Sequence, residues 1–473
     1  MASYTTLEEK IVELQKTEET PQNSLPKIQR VAEHLRNRTL FEKHYSPKLV
    51  SIGPIHHDNA NLKLGEKYKR MWAAKYIKNT AHIPQDLHKK IADNIDELKE
   101  HFADDVLTLT STGQSLKGFR SLDEKLSWML FVDGCSLLYI LDKADLDNPR
   151  PMNIKVDQLV LVVMDVLLLE NQLPYLVLKL LWKNDNETLI KTMKKFLKCQ
   201  HWATPEDSKS SSRWWSCIQE NCFPRKEVQQ EGRSDEHIVK LTSDQPQSES
   251  PTHLLDLQRK IILAKSDSKT KGNEADGKNQ DQKYSTETTM MTYKNIQDLR
   301  AAGIKLKSST TRRPTDIDFT EGWFAAKLTL PEIVVDDTTT TTFLNLIAYE
   351  MCPDFENDYG ICSFASFMDS LIDHPEDVKE LRSKEILLNS LGSDEEVANL
   401  FNIISTDLVP NTKTYIEVRS KIHKHYRNTC KTWIALGIHT YLNNPWTFIA
   451  FLAAFIALAL TFVQTWFAIN PAG

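Results

Sequence analysis

The sequence predicts a mainly α-helical protein. It should have a large helical body, a small antiparallel β-sheet in its second half and one C-terminal transmembrane helix. Glycine is scarce, with 14 positions in 473 residues, against a typical share of about 7%. Apolar residues recur at spacings of three and four through much of the first half, as they do on the buried face of a helix. A long uncharged apolar run stands at the C-terminus.

The composition excludes several classes of protein. Apolar residues make up 41% and charged residues 26% of the chain, an ordinary globular balance. The 58 basic and 64 acidic residues give a net charge of −6, which argues against a surface that coats nucleic acid, so we expect no nucleic-acid partner. The 7 cysteines are scattered and form no C-x-x-C pair. They therefore indicate neither a disulfide framework nor a zinc ribbon, and we expect no metal or cofactor.

Changes in composition divide the chain into six segments. We predict a lead segment at 1–26, the helical first half of the body at 27–200, a largely flexible insertion at 201–292 with a helix near 252–264, the second half of the body at 293–410, a basic juxtamembrane segment at 411–445 and a transmembrane helix at 446–469. The insertion is predicted to be flexible because its long polar stretches cannot bury enough apolar surface to offset the entropy of ordering them.

Helical spacing is clearest in the first half of the body. It predicts helices at Leu62–Ile77, Ile91–Phe102 and Leu122–Leu141. Ser121, followed by Glu124, is a candidate capping box for the last of these. The apolar run at 156–182 contains several charged or strongly polar residues, which are costly in lipid. It therefore predicts two buried core helices that meet at Asn171–Pro174, not a membrane span.

The second half mixes strands and helices. Alternating apolar residues predict short strands at Ile304–Lys307, Ile317–Phe319, Ala325–Leu330 and Ile333–Val335. Helical spacing returns at Phe343–Ala348, Phe364–Ile372 and Glu395–Ile404. Ser393 should cap the last of these helices, because Glu396 follows it at capping-box spacing.

The apolar run at the C-terminus extends from Trp446 to Ile469 without a charge. A helix of about 20 residues spans the ~30 Å hydrocarbon core of a bilayer, so this run is long enough. Trp446 and Trp466 lie near its two ends, where indole rings favour the headgroup level. The run predicts a single-pass anchor, with the lipid bilayer as its partner.

A basic flank precedes this span. It contains Lys421, Lys424, Arg427 and Lys431. From residue 413 to 431 the net charge is +5, and no charge follows the span. Basic flanks stay on the cytosolic side, so we expect a cytosolic body and attraction of the flank to anionic lipid. The sequence does not distinguish the plasma membrane from an endomembrane.

Motifs for nucleotide binding and serine hydrolysis are absent from the sequence. No two glycines have the spacing of G-x-G-x-x-G or G-x-S-x-G. The P-loop-like run at 272–279 has Asn279 where magnesium binding needs Ser or Thr. It is therefore interpreted as a coincidence.

Isolated polar residues leave a few candidate sites. His56 and His57 could bind a metal, but adjacent histidines converge poorly on one ion, and a structural turn is favoured. Cys135 could be a nucleophile, although a cysteine in an apolar helix is more often part of the core. Asp133 and Glu170, with Asp165, could form an acid–base cluster. Buried carboxylates held by backbone amides or basic side chains are preferred for all three.

Several blocks, in order, resemble the plant-specific domain-of-unknown-function family 247. They are Arg36 with Tyr45-Ser46-Pro47, then Ser51-Ile52-Gly53-Pro54-Ile55-His56-His57, Asp133-Gly134-Cys135, Leu169-Glu170-Asn171-Gln172-Leu173-Pro174, His253-Leu254-Leu255-Asp256-Leu257 and Asn345-Leu346-Ile347-Ala348-Tyr349-Glu350. The likeness covers about residues 27–469. Departures from the family pattern at Ala32, Ile55, Ser136 and Tyr139 suggest a diverged copy, and the last puts in doubt any function of the acidic residue usual there.

This resemblance implies a plant membrane-anchored protein with no established enzymatic activity. Some members of the family in grasses are implicated in pollen–stigma self-incompatibility, which is a recognition role. The resemblance carries over no catalytic, cofactor or metal residue, and it favours a protein that binds other, unidentified proteins. Two alternatives stay open: a hydrolase with an unrecognised carboxylate site around Asp133 and Glu170, and a structural protein of the membrane surface.

Overall fold

The structure is a computed structural model. It describes residues 27–36, 42–110, 118–198, 250–264, 295–309, 312–322, 326–355, 358–406, 408, 410–411, 413–427 and 445–469. The predictions for the lead segment, for most of the insertion and for Lys431 lie outside the described residues. The chain divides into two compact units. The first comprises Met1–Ala203, Ser208–Lys260 and Thr341–Asp358, and the second comprises Thr204–Asp207, Ile261–Thr340 and Tyr359–Gly473.

The described part of the first unit is helical. Its α-helices are α1 (Glu33–Arg36), α2 (Glu42–Tyr45), α3 (Lys63–Thr80), α4 (Pro84–Asp93), α5 (Ile95–Glu100), α6 (Asp104–Thr110), α7 (Leu122–Lys143), α8 (Val156–Asp165), α9 (Tyr175–Leu181), α10 (Asn186–Leu197) and α11 (Leu254–Leu263), whose last three residues belong to the second unit. Short 3-10 turns lie at Ala60–Leu62, Arg150–Met152 and Leu169–Asn171.

Helix α7 forms the centre of the first unit. Fifteen of its 22 residues are buried, and α3, α4, α9 and α10 pack against it. Its predicted cap is confirmed, because Ser121 Oγ accepts a hydrogen bond from the Glu124 amide at 3.1 Å. The Glu124 carboxylate accepts from the Arg120 amide at 2.6 Å. The cap therefore fixes the start of the central helix.

The second apolar run forms two helices that are part of this core. Helices α8 and α9 are separated by the turn at Leu169–Asn171, and the chain bends by 99° there. Most residues from 162 to 178 are buried. The prediction of two buried helices meeting at Asn171–Pro174 is therefore confirmed.

The second unit combines helices with short strands. Its α-helices are α12 (Ile296–Ala301), the first turn of α13 (Asp337–Glu350), α14 (Gly360–Asp369), α15 (Pro375–Ser383), α16 (Asp394–Ile404), α17 (Ile416–Arg427) and α18 (Pro445–Ile469). The rest of α13, from Thr341, belongs to the first unit. The strands are β1 (Ile304–Ser308), β2 (Asp318–Thr320), β3 (Ala326–Leu330), β4 (Ile333–Val335) and β5 (Leu387–Asn389), and a 3-10 turn lies at Pro314–Asp316.

The strands form two small sheets, and their directions correct one prediction. In the three-stranded sheet the order is β1-β3-β2. Strand β2 runs antiparallel to β3, as predicted, but β1 runs parallel to β3. A separate two-stranded sheet pairs β4 with β5 in parallel. The three-stranded sheet is mixed because β1 does not form a hairpin with β3: the chain passes through β2 before it reaches β3.

Helix α18 is the most apolar element described. Residues Ile449–Trp466 form a helix long and apolar enough to cross a membrane, and none of them is buried within the protein. Large side chains such as Phe455 (63% exposed), Leu458 (72%) and Phe462 (68%) face outward. Trp466 and Ile469 are likewise exposed. The coarse prediction of one membrane-compatible C-terminal helix is confirmed.

Candidate functional site

The site begins with a buried stretch of backbone in the first unit. Residues 48–53 form no helix or strand, yet Leu49, Val50 and Ile52 are buried. Buried amide groups need hydrogen-bond partners, since an unpaired one is costly. The partners are the side chains of Asp133, Asp165 and Asn171. Glu170 and Gln172 flank Asn171 in the sequence and bind backbone elsewhere. We call these five side chains the motif cluster, because most of them belong to the recognised sequence blocks.

Asp165 holds the first three amides of this stretch. Its carboxylate accepts hydrogen bonds from the amides of Lys48 (2.9 Å), Leu49 (2.7 Å) and Val50 (2.8 Å). Burial raises the pKa of Asp165 to about 6, and the three amide donors oppose that rise. One side chain at the end of α8 thus replaces the strand partner that this backbone lacks.

Asn171 holds the middle of the stretch. Its Oδ1 accepts from the Ile52 amide at 2.6 Å. Its Nδ2 donates to the carbonyls of Val50 at 2.9 Å and Asp165 at 2.8 Å. An amide side chain can donate and accept at once, so this position needs Asn more than a carboxylate.

Gly53 ends the stretch at a position that requires glycine. Its φ is +76°, and a Cβ atom there would lie 2.8 Å from the Gln172 carbonyl oxygen. Its amide donates to Asp133 Oδ2 at 2.9 Å. Pro54 follows as a buried residue. The Gly-Pro pair therefore turns the chain directly against the backbone of the Leu169–Pro174 block.

Asp133 also belongs to a buried ion pair. Lys69 Nζ lies 2.7 Å from Asp133 Oδ1 and 2.7 Å from Glu66 Oε1. Burial opposes the charge on Lys69, but the two carboxylates outweigh it and raise the pKa of the lysine. Burial raises the pKa of Asp133, and Lys69 opposes that rise. Removing either partner would leave an uncompensated buried charge, which is strongly destabilising.

Glu170 binds the backbone that precedes α1. Its carboxylate accepts from the Val31 amide at 2.8 Å and forms an ion pair with Arg36. His56 Nε2 lies 2.9 Å from the other carboxylate oxygen. Burial by itself raises the pKa of Glu170, but the two basic neighbours and the Val31 amide outweigh it and hold the pKa below its ordinary value. The carboxylate therefore stays ionised inside the protein.

The remaining motif residues complete the same structure. The Gln172 side chain donates to the carbonyls of Val166 (2.9 Å) and Leu168 (2.7 Å) and accepts from the Leu255 amide at 3.0 Å. Cys135 is fully buried, so this cysteine is a packed core residue, and burial raises the pKa of its thiol to about 12. Pro174 is buried ahead of α9. These positions thus pack and connect helices.

Comparison with known proteins now decides the family. The family described as DUF247, plant protein of unknown function, matches residues 28–460. The chain belongs to this family. UPF0481 protein At3g47200 of Arabidopsis thaliana is 23% identical over 449 residues, which are 91% of this chain and 84% of that protein. Putative UPF0481 protein At3g02645 of the same plant is 26% identical over 175 residues, 37% of this chain and 32% of that protein. No solved structure matches the chain.

The preferred interpretation of the three acidic residues is confirmed in this DUF247 chain. Asp133 and Asp165 accept from backbone amides, and Glu170 accepts from an amide and an arginine. Asp133 and Glu170 are each 1% exposed, so neither carboxylate lies in an open cleft. The two histidines lie in a turn, as expected, with His56 against Glu170 and His57 half-buried.

Two open depressions lie near the start of the body, and neither contains the motif cluster. One has a volume of about 600 Å³ and is lined by Lys27, Glu97, Lys99, Glu100, His101, Phe102, Asp104 and Leu107. The other, of about 390 Å³, is lined by Gln29, Arg30, Val31, Ala32, Glu33, Arg36 and Asp105. Among the described residues no group of three or more His, Cys, Asp or Glu side chains could hold a metal.

The helix predicted near 252–264 is α11 of this DUF247 chain, but sequence reasoning missed the side chain that caps it. His253 is fully buried, and its Nδ1 accepts from the Asp256 amide at 3.1 Å. Its ring lies edge-on to Tyr349, with centroids 4.8 Å apart. Burial lowers the pKa of His253 to about 4. The Asp256 spacing fits a helix cap, but histidine is not among the usual capping residues that a sequence search looks for.

Arg259, on the same helix, was also missed. Its Nε lies 2.7 Å from Glu350 Oε1, and a terminal nitrogen lies 3.1 Å from Asp358 Oδ2. The guanidinium also lies over the Phe355 ring at 4.8 Å. Glu350 belongs to a recognised block, and a buried acidic residue needs a partner, which was the one available signal.

Three residues of the basic flank are described, and all three lie on α17. Lys424 and Arg427 are exposed, and Lys421 is half-buried and pairs with Glu417 at 2.6 Å. The opposite side of the helix buries Val418, Ile422 and His425. The backbone of Trp446 lies in the first turn of α18.

Proposed function

We propose that this DUF247 protein is a membrane-anchored interaction protein, tethered to a bilayer by α18. The exposed apolar surface of α18 carries the proposal. Its 25 residues contain no charge, and at about 1.5 Å per residue they extend about 37 Å, longer than a bilayer core of about 30 Å. An apolar surface of this size is unfavourable in water and marks an interaction with lipid or protein.

We propose that the body lies on the cytosolic side. The support is the charge asymmetry around α18, with Lys424 and Arg427 exposed before it and no charge after it. The same basic flank should attract anionic headgroups, at about 1 kcal/mol for each basic side chain near the surface.

We propose a binding role for the body, and no catalysis. The support lies in the motif cluster, whose polar groups are already engaged by backbone and basic side chains inside the first unit. A catalytic centre needs convergent polar groups that a substrate can reach, and Asp133 and Glu170 are almost completely buried. A protein partner would then bind the outer surface that these buried contacts support.

Truncation tests the anchor. A chain lacking 446–473 should be extracted from membranes by alkaline carbonate, while the full chain stays in the membrane pellet. The matched control replaces 446–469 with an unrelated apolar, uncharged helix of equal length, which should restore retention. If the truncated chain resists carbonate as the full chain does, α18 is not the anchor.

The orientation has its own test. Protease added to sealed vesicles of known sidedness should digest the body only when the cytosolic face is outside. A glycan at either sequon, Asn37 or Asn186, would place the body on the other side of the membrane and overturn the proposed orientation.

A further inference from the structure

One face of the three-stranded sheet carries an unbalanced set of lysines. Lys305 on β1 is paired in register with Lys327 on β3, and Lys307 lies one row further along. All three are exposed. Paired residues point to the same face of a sheet, and neighbouring strands lie about 4.8 Å apart. Two ammonium-bearing side chains therefore start from directly adjacent positions.

This arrangement is unfavourable for the sheet alone. Like charges in directly paired positions destabilise a sheet. Among the described residues no carboxylate lies within ion-pair distance of these lysines, and the one acidic residue in the two rows is Asp318 on β2, opposite Thr329. Lysine on an edge strand discourages pairing with other chains, which accounts for Lys305 and Lys307 on β1. It does not account for Lys327, which is on the central strand.

Helix α17 packs on the other face of this sheet, and two of its hydrogen bonds show which way the helix runs relative to the strands. The Tyr415 hydroxyl donates to the Pro314 carbonyl at 3.2 Å, just before β2. Near the other end of α17, His425 Nε2 lies 3.2 Å from the Ala302 carbonyl oxygen, just before β1. The helix therefore ends where β1 and β3 begin, at the end of the sheet with the Lys305–Lys327 pair.

The same end of the sheet thus gathers basic side chains from two elements. Lys305 and Lys327 come from the strands, and Lys424 and Arg427 come from the last turn of α17. The next described helix in the sequence is α18, which belongs to the same unit. At physiological salt, charges attract over about 8 Å, so a surface must come into contact to neutralise this group.

We propose that this end of the second unit docks on anionic lipid headgroups of the bilayer that holds α18. The inference rests on the proposed anchoring function, because α18 keeps the unit beside the bilayer and makes a weak electrostatic contact effective. Phosphate and carboxylate groups of lipid supply the negative charge that the sheet face lacks. Lys305 and Lys327 should lie at the surface, and Lys307, one row further along, should lie farther from it.

Lysine acetylation of the reconstituted full chain tests this docking. The chain is placed in vesicles of phosphatidylcholine alone or with phosphatidylserine, and the acetylation rate of each lysine is read by mass spectrometry. We expect Lys305 and Lys327 to react about fivefold more slowly in the anionic vesicles, the factor equivalent to about 1 kcal/mol per lysine. Lys307 should be protected less, and added salt should abolish the difference.

Variants of the full chain make the test specific. In the double variant Lys305→Gln with Lys327→Gln, the protection of Lys424 by anionic lipid should fall. In a charge-matched control, Lys89→Gln with Lys90→Gln in the first unit, it should persist. All four lysines are exposed, so neither variant removes a buried contact.

The outcomes separate the anchor from the docking surface. A chain that does not co-float with neutral vesicles after carbonate treatment contradicts the anchoring function itself. A chain that floats, but whose Lys305 and Lys327 react equally fast in both vesicles, contradicts docking alone. Protection confined to Lys424 would assign lipid contact to the basic flank and overturn the role of the sheet.

Discussion

The buried cap at His253 makes the first unit sensitive to acid. Because Nδ1 accepts the Asp256 amide at 3.1 Å, it must keep its lone pair, and the ring must be neutral. Protonation would place a hydrogen where the amide already donates, inside a site with no exposure to water. The perturbation is therefore a fall in pH, and the matched variant is His253→Asn. Asparagine caps helices well and does not titrate in this range.

The pKa of His253 sets the size and the sign of the effect. It is lowered by burial from 6.5 to about 4. Between these values the unfolded chain binds a proton that the folded chain does not, so the free energy of unfolding falls as the pH falls. At 1.36 kcal/mol for each unit of pKa, the loss is about 3 kcal/mol at pH 4 and levels off just below that pH.

Denaturant unfolding of the full chain in detergent measures this loss. Hydrogen exchange of peptides from α3 and α7 reports the first unit, at several pH values from neutral down to about 4. Other groups titrate too, among them Asp165, whose pKa is raised to about 6. The variant shares them, so the difference between wild type and His253→Asn isolates His253. If the two chains lose stability in parallel across this range, the cap is not a neutral imidazole and the reasoning is refuted.

Three further substitutions probe the packing of the motif cluster, each measured by urea unfolding of the full chain. Glu170→Leu should lower the free energy of unfolding by about 3–5 kcal/mol, since it leaves buried partners without a counter-charge; Glu170→Gln, which keeps an acceptor, should lose less, and equal losses would contradict the ionised contact. Asn171→Leu should cost about 1–3 kcal/mol for each group left unpaired, and wild-type stability would show that the amide is dispensable. Gly65→Ala should cost about 3 kcal/mol or more, because its Cβ would lie 1.8 Å from the Leu49 carbonyl oxygen. Gly134→Ala, which meets only movable Leu181 and Val177 side chains, is the control, and a milder effect at Gly65 than at Gly134 would reverse the argument.

The sequence predicted correctly those features that depend on residues close together in the chain, such as helix caps. The caps at Ser121 and Ser393 form as predicted, because capping spacing is a property of four adjacent residues. Helix α13 is longer than the predicted Phe343–Ala348, since it begins at Asp337 and includes a run of threonines. Threonine disfavours helix by propensity, but the Asp336 carboxylate caps the Thr339 amide at 2.7 Å and starts the helix early.

Strand direction and pairing were beyond the sequence pattern. Alternation predicts which residues of a strand are buried, but it does not tell which strand is the neighbour. The pattern therefore identified β1, β2 and β3 and missed that β1 is parallel to β3. Strand β5 was not predicted at all, since three residues at Leu387–Asn389 are too few to show alternation.

The motif cluster also combines features that the sequence predicts with contacts that it does not. The sequence correctly predicts that the acidic residues are buried and bonded, because burial of a charge requires a partner. It does not say which backbone they hold, since Asp165 and the amides it binds are 115 to 117 residues apart. Likewise, the pairing of Lys69 with Asp133 across 64 residues follows only from the packing of α3 on α7.

The distance in sequence between His44 and Asn345 has a consequence for synthesis. Asn345 Nδ2 donates to the His44 carbonyl at 2.9 Å, across 301 residues, and Asn345 Oδ1 accepts from the Leu169 amide. A ribosome adds about 5–20 residues per second, so about 15–60 s pass between the translation of these two positions. During that interval the nascent chain exposes apolar side chains near its start, together with backbone groups that still lack their hydrogen-bond partners. This DUF247 protein should therefore depend on chaperone shielding while it is made, and fragments that stop before about residue 350 should be degraded or aggregate.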